Sequence, residues 1–256
     1  MLSRNSIHEI RSLKDAKNRN KTKQFVAEGP KVINELLLGS FEPKGIYCLE
    51  DALFLFKNKV ADKDVIKIIS EKELQRISQL VTPNKALAVF NMATPVALTD
   101  FETNDPILML DDISDPGNLG TIIRTADWFG VKHIICSEKS VDVYNPKVVQ
   151  STMGSLGRVQ VHYLNIAEFL SVLPKAIPCY GAFPDGESIY DTSFKRGSIL
   201  LIGSESHGIS KDLLPFVTKK ISIPGFSKNE IKAESLNASI AAAIICAELR
   251  RQLLIN

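Results

Sequence analysis

Asp115-Pro116-Gly117-Asn118-Leu119-Gly120-Thr121-Ile122-Ile123-Arg124-Thr125-Ala126 joins an apolar run to an amphipathic helix. Upstream, Ile107-Leu108-Met109-Leu110 reads as a strand buried on both faces, the pattern of a parallel sheet. Downstream, Leu119, Ile122, Ile123, Ala126 and Phe129 share one face of a helix over 119–129, and Gly130 ends it. Open α/β sheets bind ligands beyond the carboxyl ends of their strands, where this polar loop falls. Two later loops share that setting. Gly203-Ser204-Glu205 closes a strand over 199–203, and Glu234-Ser235-Leu236-Asn237 comes after a strand over 220–223 and opens a last helix over 234–253.

Further strands are predicted over 131–136, 159–163 and 178–183, with helices in most of the gaps. Alternation on this scale implies an α/β fold with a mostly parallel sheet and helices on both faces. The first half reads as a smaller α/β unit. Its strands are expected over 25–28, 45–49, 65–69 and 87–90. Its helices are expected from Pro30 to a stop at Gly39, over 52–57 and over 71–78. Thr94-Pro95 and Asn104-Asp105-Pro106 mark a linker. The expected division is a first domain at 1–95, a linker at 96–105 and a second domain at 106–256.

With 256 residues, 45% hydrophobic and 23% charged, the chain can bury a substantial core. No apolar stretch approaches the roughly 20 residues that span a bilayer, and the charged N-terminus is unlike a secretory signal. A cytoplasmic protein without a membrane partner is the expectation. Cys48, Cys136, Cys179 and Cys246 stand singly among apolar neighbours, and His8, His133, His162 and His207 show no ligand spacing. No disulfide framework and no metal site is therefore expected. Net charge is +2, yet residues 1–24 hold seven basic against two acidic residues. That segment reads either as a solvated helix face or as a surface for phosphates. The first strand of neither half is followed by a GxGxxG turn, and no GxxxxGK[ST] occurs, which argues against a dinucleotide oxidoreductase and a P-loop nucleotidase.

The ordered set of loops resembles the SpoU/TrmH family of the SPOUT superfamily, methyltransferases that modify ribose 2′-hydroxyls of tRNA or rRNA. Asn118, Gly120 and Arg124 match Pro-x-Asn-x-Gly-x-x-x-Arg-Thr-Ala, and Gly203-x-Glu205-x-x-Gly208 matches a second motif. Ile223-Pro224, with Ser235-Leu236-Asn237 ahead of an alanine-rich helix, matches the third. A further similar stretch runs from Ser151 to Arg158. Phe25-Val26-Ala27-Glu28-Gly29 before a helix is similar to the family's ribosomal-protein-like substrate-binding domain, which would be the first domain here. The resemblance implies a C-terminal SPOUT domain with a deep trefoil knot, S-adenosyl-L-methionine held bent within it, and a homodimer through that domain. It also implies donor contacts, largely from backbone, at Gly203, Ile223 and Leu236. Catalytic positions would be Arg124, Asn118, Glu205, Ser235 and Asn237.

Chemistry narrows these roles. Arg124 lies one helical turn past Gly120 and stays charged at neutral pH, so it is a poor general base. It is expected to grip an RNA phosphate bidentately. Asn118 is expected to cap helix 119–129, and Ser235 and Asn237 to open the last helix. Gly120 and Gly203 allow close backbone approach or tight turns. Glu205 would orient Asn118 or the ribose. His207 neighbours it, but the family motif does not require histidine there. Trp128 and Phe129 read as helix packing residues. The third motif departs from the family pattern, because a long charged loop follows Pro224-Gly225-Phe226. That loop favours an alternative, an RNA-bound assembly factor with weak or absent turnover. Arg124, Glu205, Ser235 and Asn237, all present, oppose it.

Overall fold

The structure, a computed structural model, describes residues 1–39, 41–94, 105–227 and 235–255. The linker expected at 96–105 falls, but for Asp105, outside the described residues. The chain divides into two compact units, one of residues 1–95 with 142–158, the other of 96–141 with 159–256.

In the first unit, α1 (Arg4–Ser12) and α2 (Ala16–Thr22) lead into β1 (Gln24–Glu28), α3 (Pro30–Leu38), β2 (Pro43–Cys48), β3 (Ile66–Ile68), α4 (Glu71–Ile77) and β4 (Ala86–Asn91). The sheet order is β1-β4-β2-β3, with β4 antiparallel to both neighbours and β3 parallel to β2. Strand alternation sorts the side chains onto two faces. Val26, Tyr47, Leu87 and Val89 pack with Ile7, Ile10 and Leu13, and with Leu74 and Ile77 of α4. On the other face Phe25 meets Phe41, Phe90 and Tyr144, with ring centroids 5.2, 5.7 and 4.8 Å away. Tyr144 belongs to the stretch that the second half of the sequence lends to this unit. In that stretch Gly154 has φ +96°, and a Cβ there would lie 2.1 Å from Glu35 Cβ of α3. The similar stretch 151–158 is thus a seat for α3. Residues 50–55 form a 3₁₀ helix in place of the helix predicted at 52–57. Leu49 at its N-cap offers no side-chain acceptor, and the turn tightens instead.

The second half of the chain supplies β5 (Ile107–Leu110), α5 (Pro116–Trp128), β6 (His133–Cys136) and α6 (Pro146–Ser151), the last lying in the lent stretch. It continues with β7 (Gln160–Tyr163), α7 (Ile166–Val172), β8 (Cys179–Ser188), β9 (Ile199–Ile202), β10 (Lys219–Ser222) and α8 (Ala238–Ile255). Its six strands, in the order β10-β8-β9-β5-β6-β7, are all parallel. Ile107, Met109, Ile135, Ile199 and Leu201 pack with Ile166 and Leu170 of α7. The alternate residues Leu108, Leu110, Ile134, Cys136, Leu200 and Ile202 are buried too, so both faces are covered, as the unbroken apolar runs require. β8 runs five residues past its predicted end. Gly186 lets it pass Ile221 of β10 so closely that a Cβ would fall 2.4 Å from the Ile221 carbonyl carbon.

α5 and α8 lie side by side. Asn237 meets Asn118 at their amino ends, at 2.9 Å, and Arg250 Nε donates to the Phe129 carbonyl at their carboxyl ends, at 2.5 Å. The pair is therefore parallel. α8 starts at Ala238, later than the predicted 234, and residues 228–234 lie outside the described ones. Among the described residues no helix is long and apolar enough to cross a membrane.

Candidate active site

The β5–α5 connection is built from hydrogen-bonding side chains. α5 begins at Pro116, whose missing N–H costs nothing in a first turn. Asp115 is the N-cap, and its Oδ1 accepts the Asn118 N–H at 2.8 Å. The cap role predicted for Asn118 therefore belongs to Asp115, three residues earlier. Asn118 sits inside the helix with its carboxamide free for other work. Just upstream, Asp112 adopts φ +58°, a left-handed conformation that Asp tolerates, and its N–H donates to Ser137 Oγ at 2.8 Å. Ile113 N–H donates to Ser140 Oγ at 3.2 Å. Buried Asp111 accepts the Ser210 N–H at 2.7 Å, which ties this connection to the loop after β9.

That second loop is a tight turn. Ser204 and Gly208 exchange backbone hydrogen bonds of 3.1 and 2.9 Å across Glu205-Ser206-His207. Gly203 makes this possible, since a Cβ on it would lie 2.1 Å from the Gly208 carbonyl carbon. Glu205 stands at the tip. The third segment reaches α8 through Asn237, whose Oδ1 accepts N–H groups from Ser239 and Ile240 at 3.0 and 3.4 Å. Asn237 is thus the cap expected of it.

These three segments meet. Glu205 Oε1 accepts from Asn118 Nδ2 at 2.8 Å, from Asn237 Nδ2 at 2.7 Å and from the Ala238 N–H at 3.3 Å. Asn237 Nδ2 also reaches Asn118 Oδ1 at 2.9 Å. The carboxylate sits at the amino ends of two parallel helices, where peptide dipoles favour negative charge. Three donors thus converge on the single oxygen Oε1. The trio braces three chain segments through side-chain hydrogen bonds.

The other predicted site residues lie around it. Gly203 and Ile223 stand one residue past the carboxyl ends of β9 and β10, with β8 between those strands. Ser235 is exposed ahead of α8, and Leu236 leaves 46% of its surface open beside the brace. Arg124 is not part of the trio. It is exposed on α5, on one stripe with Thr121 and Trp128, and its side chain has no hydrogen-bond or ion-pair partner among the described residues. Trp128 corrects the sequence reading, since it is 85% exposed and packs no core. Asp111 and Asp115 carry no role in the sequence expectation, although two aspartates flanking a strand-to-helix turn are a recognisable capping signal. Among the described residues no cluster suits a metal ion.

A parallel sheet with a braced polar edge and backbone-rich loops defines a ligand-binding α/β enzyme class. The comparisons specify it. The model of the SpoU rRNA Methylase family matches residues 105–247, and that of an MRM3-like substrate binding domain matches residues 4–88. The chain belongs to the SpoU rRNA methylase family. It is 27% identical over 246 residues to the 23S rRNA (guanosine(2553)-2′-O)-methyltransferase RlmP of Bacillus subtilis, covering 95% of each chain. A solved TrmH-family protein from Porphyromonas gingivalis is 37% identical with a TM-score of 0.85, covering 98% of this chain and 99% of the other. An AdoMet-bound rRNA methyltransferase from Sinorhizobium meliloti is 27% identical with a TM-score of 0.84, covering 99% and 97%.

Proposed function

We propose that this chain moves a methyl group from S-adenosyl-L-methionine to a ribose 2′-hydroxyl of ribosomal or transfer RNA, with Arg124 holding the reacting nucleotide. The observation that carries this reading is the meeting of Asn118, Glu205 and Asn237 at the carboxyl edge of the sheet. Family membership and the 2′-O specificity named for the Bacillus relative support it.

The residues present fit the cofactor. Gly203 has no side chain to fill the loop, Ile223 is half-buried, and Leu236 offers an uncovered apolar surface next to backbone polar groups. These three would hold it, and when bound it supplies a methyl group on a sulfonium. The brace keeps their loops at fixed separation. Arg124 donates two parallel N–H groups to a phosphate of the substrate and so orients the ribose. That phosphate, or a water on it, takes the hydroxyl proton, since a guanidinium does not. Ser235 stands at the mouth of the same site.

Three companion readings go with this. The chain pairs with a second copy through α5 and α8, because Trp128 and Leu254 are 85% and 86% exposed at the carboxyl ends of these packed helices. The second unit carries the knot of its family, and the protein works in the cytoplasm, where the RNA substrates of translation are.

The test is incubation with labelled methyl donor and unmodified ribosomal and transfer RNA transcripts, followed by alkaline hydrolysis. Label in alkali-resistant dinucleotides is expected. Label on bases, or no transfer to either RNA, contradicts the reading.

A further inference from the structure

The first unit has a surface cleft of its own. It lies where α1 passes into α2, has a volume of about 450 Å³, and is lined by Arg4, His8 and Arg11 with Ser12, Asp15 and Asn18 over an apolar floor that includes Ile7. Arg4, His8 and Arg11 recur at helical spacing and share one exposed face of α1. Their side chains have no hydrogen-bond or ion-pair partner among the described residues. Arg4 stands at the first position of α1, a helix with no acidic residue in its first turn. A cation there opposes the helix dipole, so local stability does not explain it. Arg19 shows what a structural arginine in this segment looks like. It is 2% exposed, its Nε donates to Asp142 at 3.0 Å, and its Nη1 donates to the carbonyls of Leu13 and Lys14 at 3.0 and 2.7 Å. Arg19 is unavailable to a phosphate, which corrects the sequence reading for that residue.

We infer that this cleft seats the sugar–phosphate backbone of the RNA, with Arg4 and Arg11 each neutralising a phosphate of one strand. The two lie about 10 Å apart along the helix axis, a span that a single phosphate does not fill but a strand does. His8 lies between them as a hydrogen-bonding side chain, and Asp15 limits how far an anion enters. The inference rests on the RNA methyltransferase reading and names where that substrate is held away from the reacting ribose.

The experiment uses the full chain and filter binding of an unmodified ribosomal RNA transcript across a potassium chloride series, with methyl-transfer rates measured in parallel. Each phosphate contact released as counterions is worth about fivefold in affinity near 0.15 M salt. R4A/R11A should therefore weaken RNA binding by about 25-fold and make the salt dependence shallower by about 1.4–1.8 in log–log slope. Donor affinity and the rate at saturating RNA should stay unchanged. D15N should do the opposite and tighten binding. K14A/K17A, which removes exposed charges that do not line the cleft, should have a much smaller effect. Wild-type affinity and slope in R4A/R11A, in a preparation whose parent methylates RNA, would overturn the cleft alone. Equal losses in K14A/K17A, or full competition by a mononucleotide at matched ionic strength, would overturn it too. A parent protein that binds no RNA would sink both readings.

Discussion

Arg124 and Glu205 are both charged, yet the structure gives them opposite settings. Glu205 is held by three N–H donors, whereas Arg124 faces solvent with no partner among the described residues. A charged side chain left uncommitted is suited to gripping a ligand. Arg124→Ala should lower kcat by about 10²–10³-fold, the usual cost of removing a preorganised donor, while calorimetry shows donor affinity within about twofold of the parent. Loss of donor binding would assign Arg124 to the cofactor instead. Much of this was legible in the residues, because Asn118, Glu205 and Asn237 were all named from their motifs. The residue that starts α5 also had a signal in the sequence. Asp115 and Asn118 are both competent, and only the position of Pro116 at the first helical residue decides between them. The exposure of Trp128 has a signal in the sequence, since positions 121, 124 and 128 fall on one stripe opposite the buried Ile122, Ile123 and Ala126.

At the scale of elements, the loop after β9 depends on the absence of one side chain. Gly203→Ala would place a carbon 2.1 Å from the Gly208 backbone, and backbone cannot swing aside as a side chain does. The loop must open, at a cost of roughly 1–3 kcal/mol in denaturant melts, and Glu205 should leave its donors. Donor binding should fall with it; a variant with parental stability and affinity would show that the loop is softer than its contacts indicate. β6 and β7 offer a separate test. Parallel pairing brings His133 and His162 together, Nδ1 to Nε2 at 3.4 Å, although nothing in their spacing announces it. Burial, and then the neighbouring His133, holds the His162 pKa below its ordinary 6.5. The unfolded chain therefore binds a proton first as pH falls. Stability should be fully present above pH 6.5 and decline as pH drops below it, and His162→Gln should remove that part of the slope. Identical slopes in urea melts of parent and variant would contradict this assignment. The strands and helices themselves were readable from apolar periodicity. Which unit a segment joins was not, because residues 142–158 hold helical turns and no strand, so strand periodicity says nothing of their seat. Only tertiary contacts such as Tyr144 with Phe25 assign that stretch to the first unit.

For the whole molecule, the exposed ends of α5 and α8 bear on assembly. Substituting Trp128→Arg together with Leu254→Lys should turn a dimer into a monomer in sedimentation, with folding intact because both side chains are already exposed. A parent that sediments as a monomer would remove the pairing proposal and leave the fold untouched. The central claim is narrower: three chain segments, braced through Glu205, enclose a methyl donor beside Arg124. A crystal structure of the full chain with S-adenosylhomocysteine tests it most directly. The expected result is the nucleoside against Gly203, Ile223 and Leu236, with Asn118, Glu205 and Asn237 still joined and the Arg124 guanidinium facing the homocysteine sulfur. A nucleoside bound elsewhere, or Arg124 directed away from the sulfur, would contradict it.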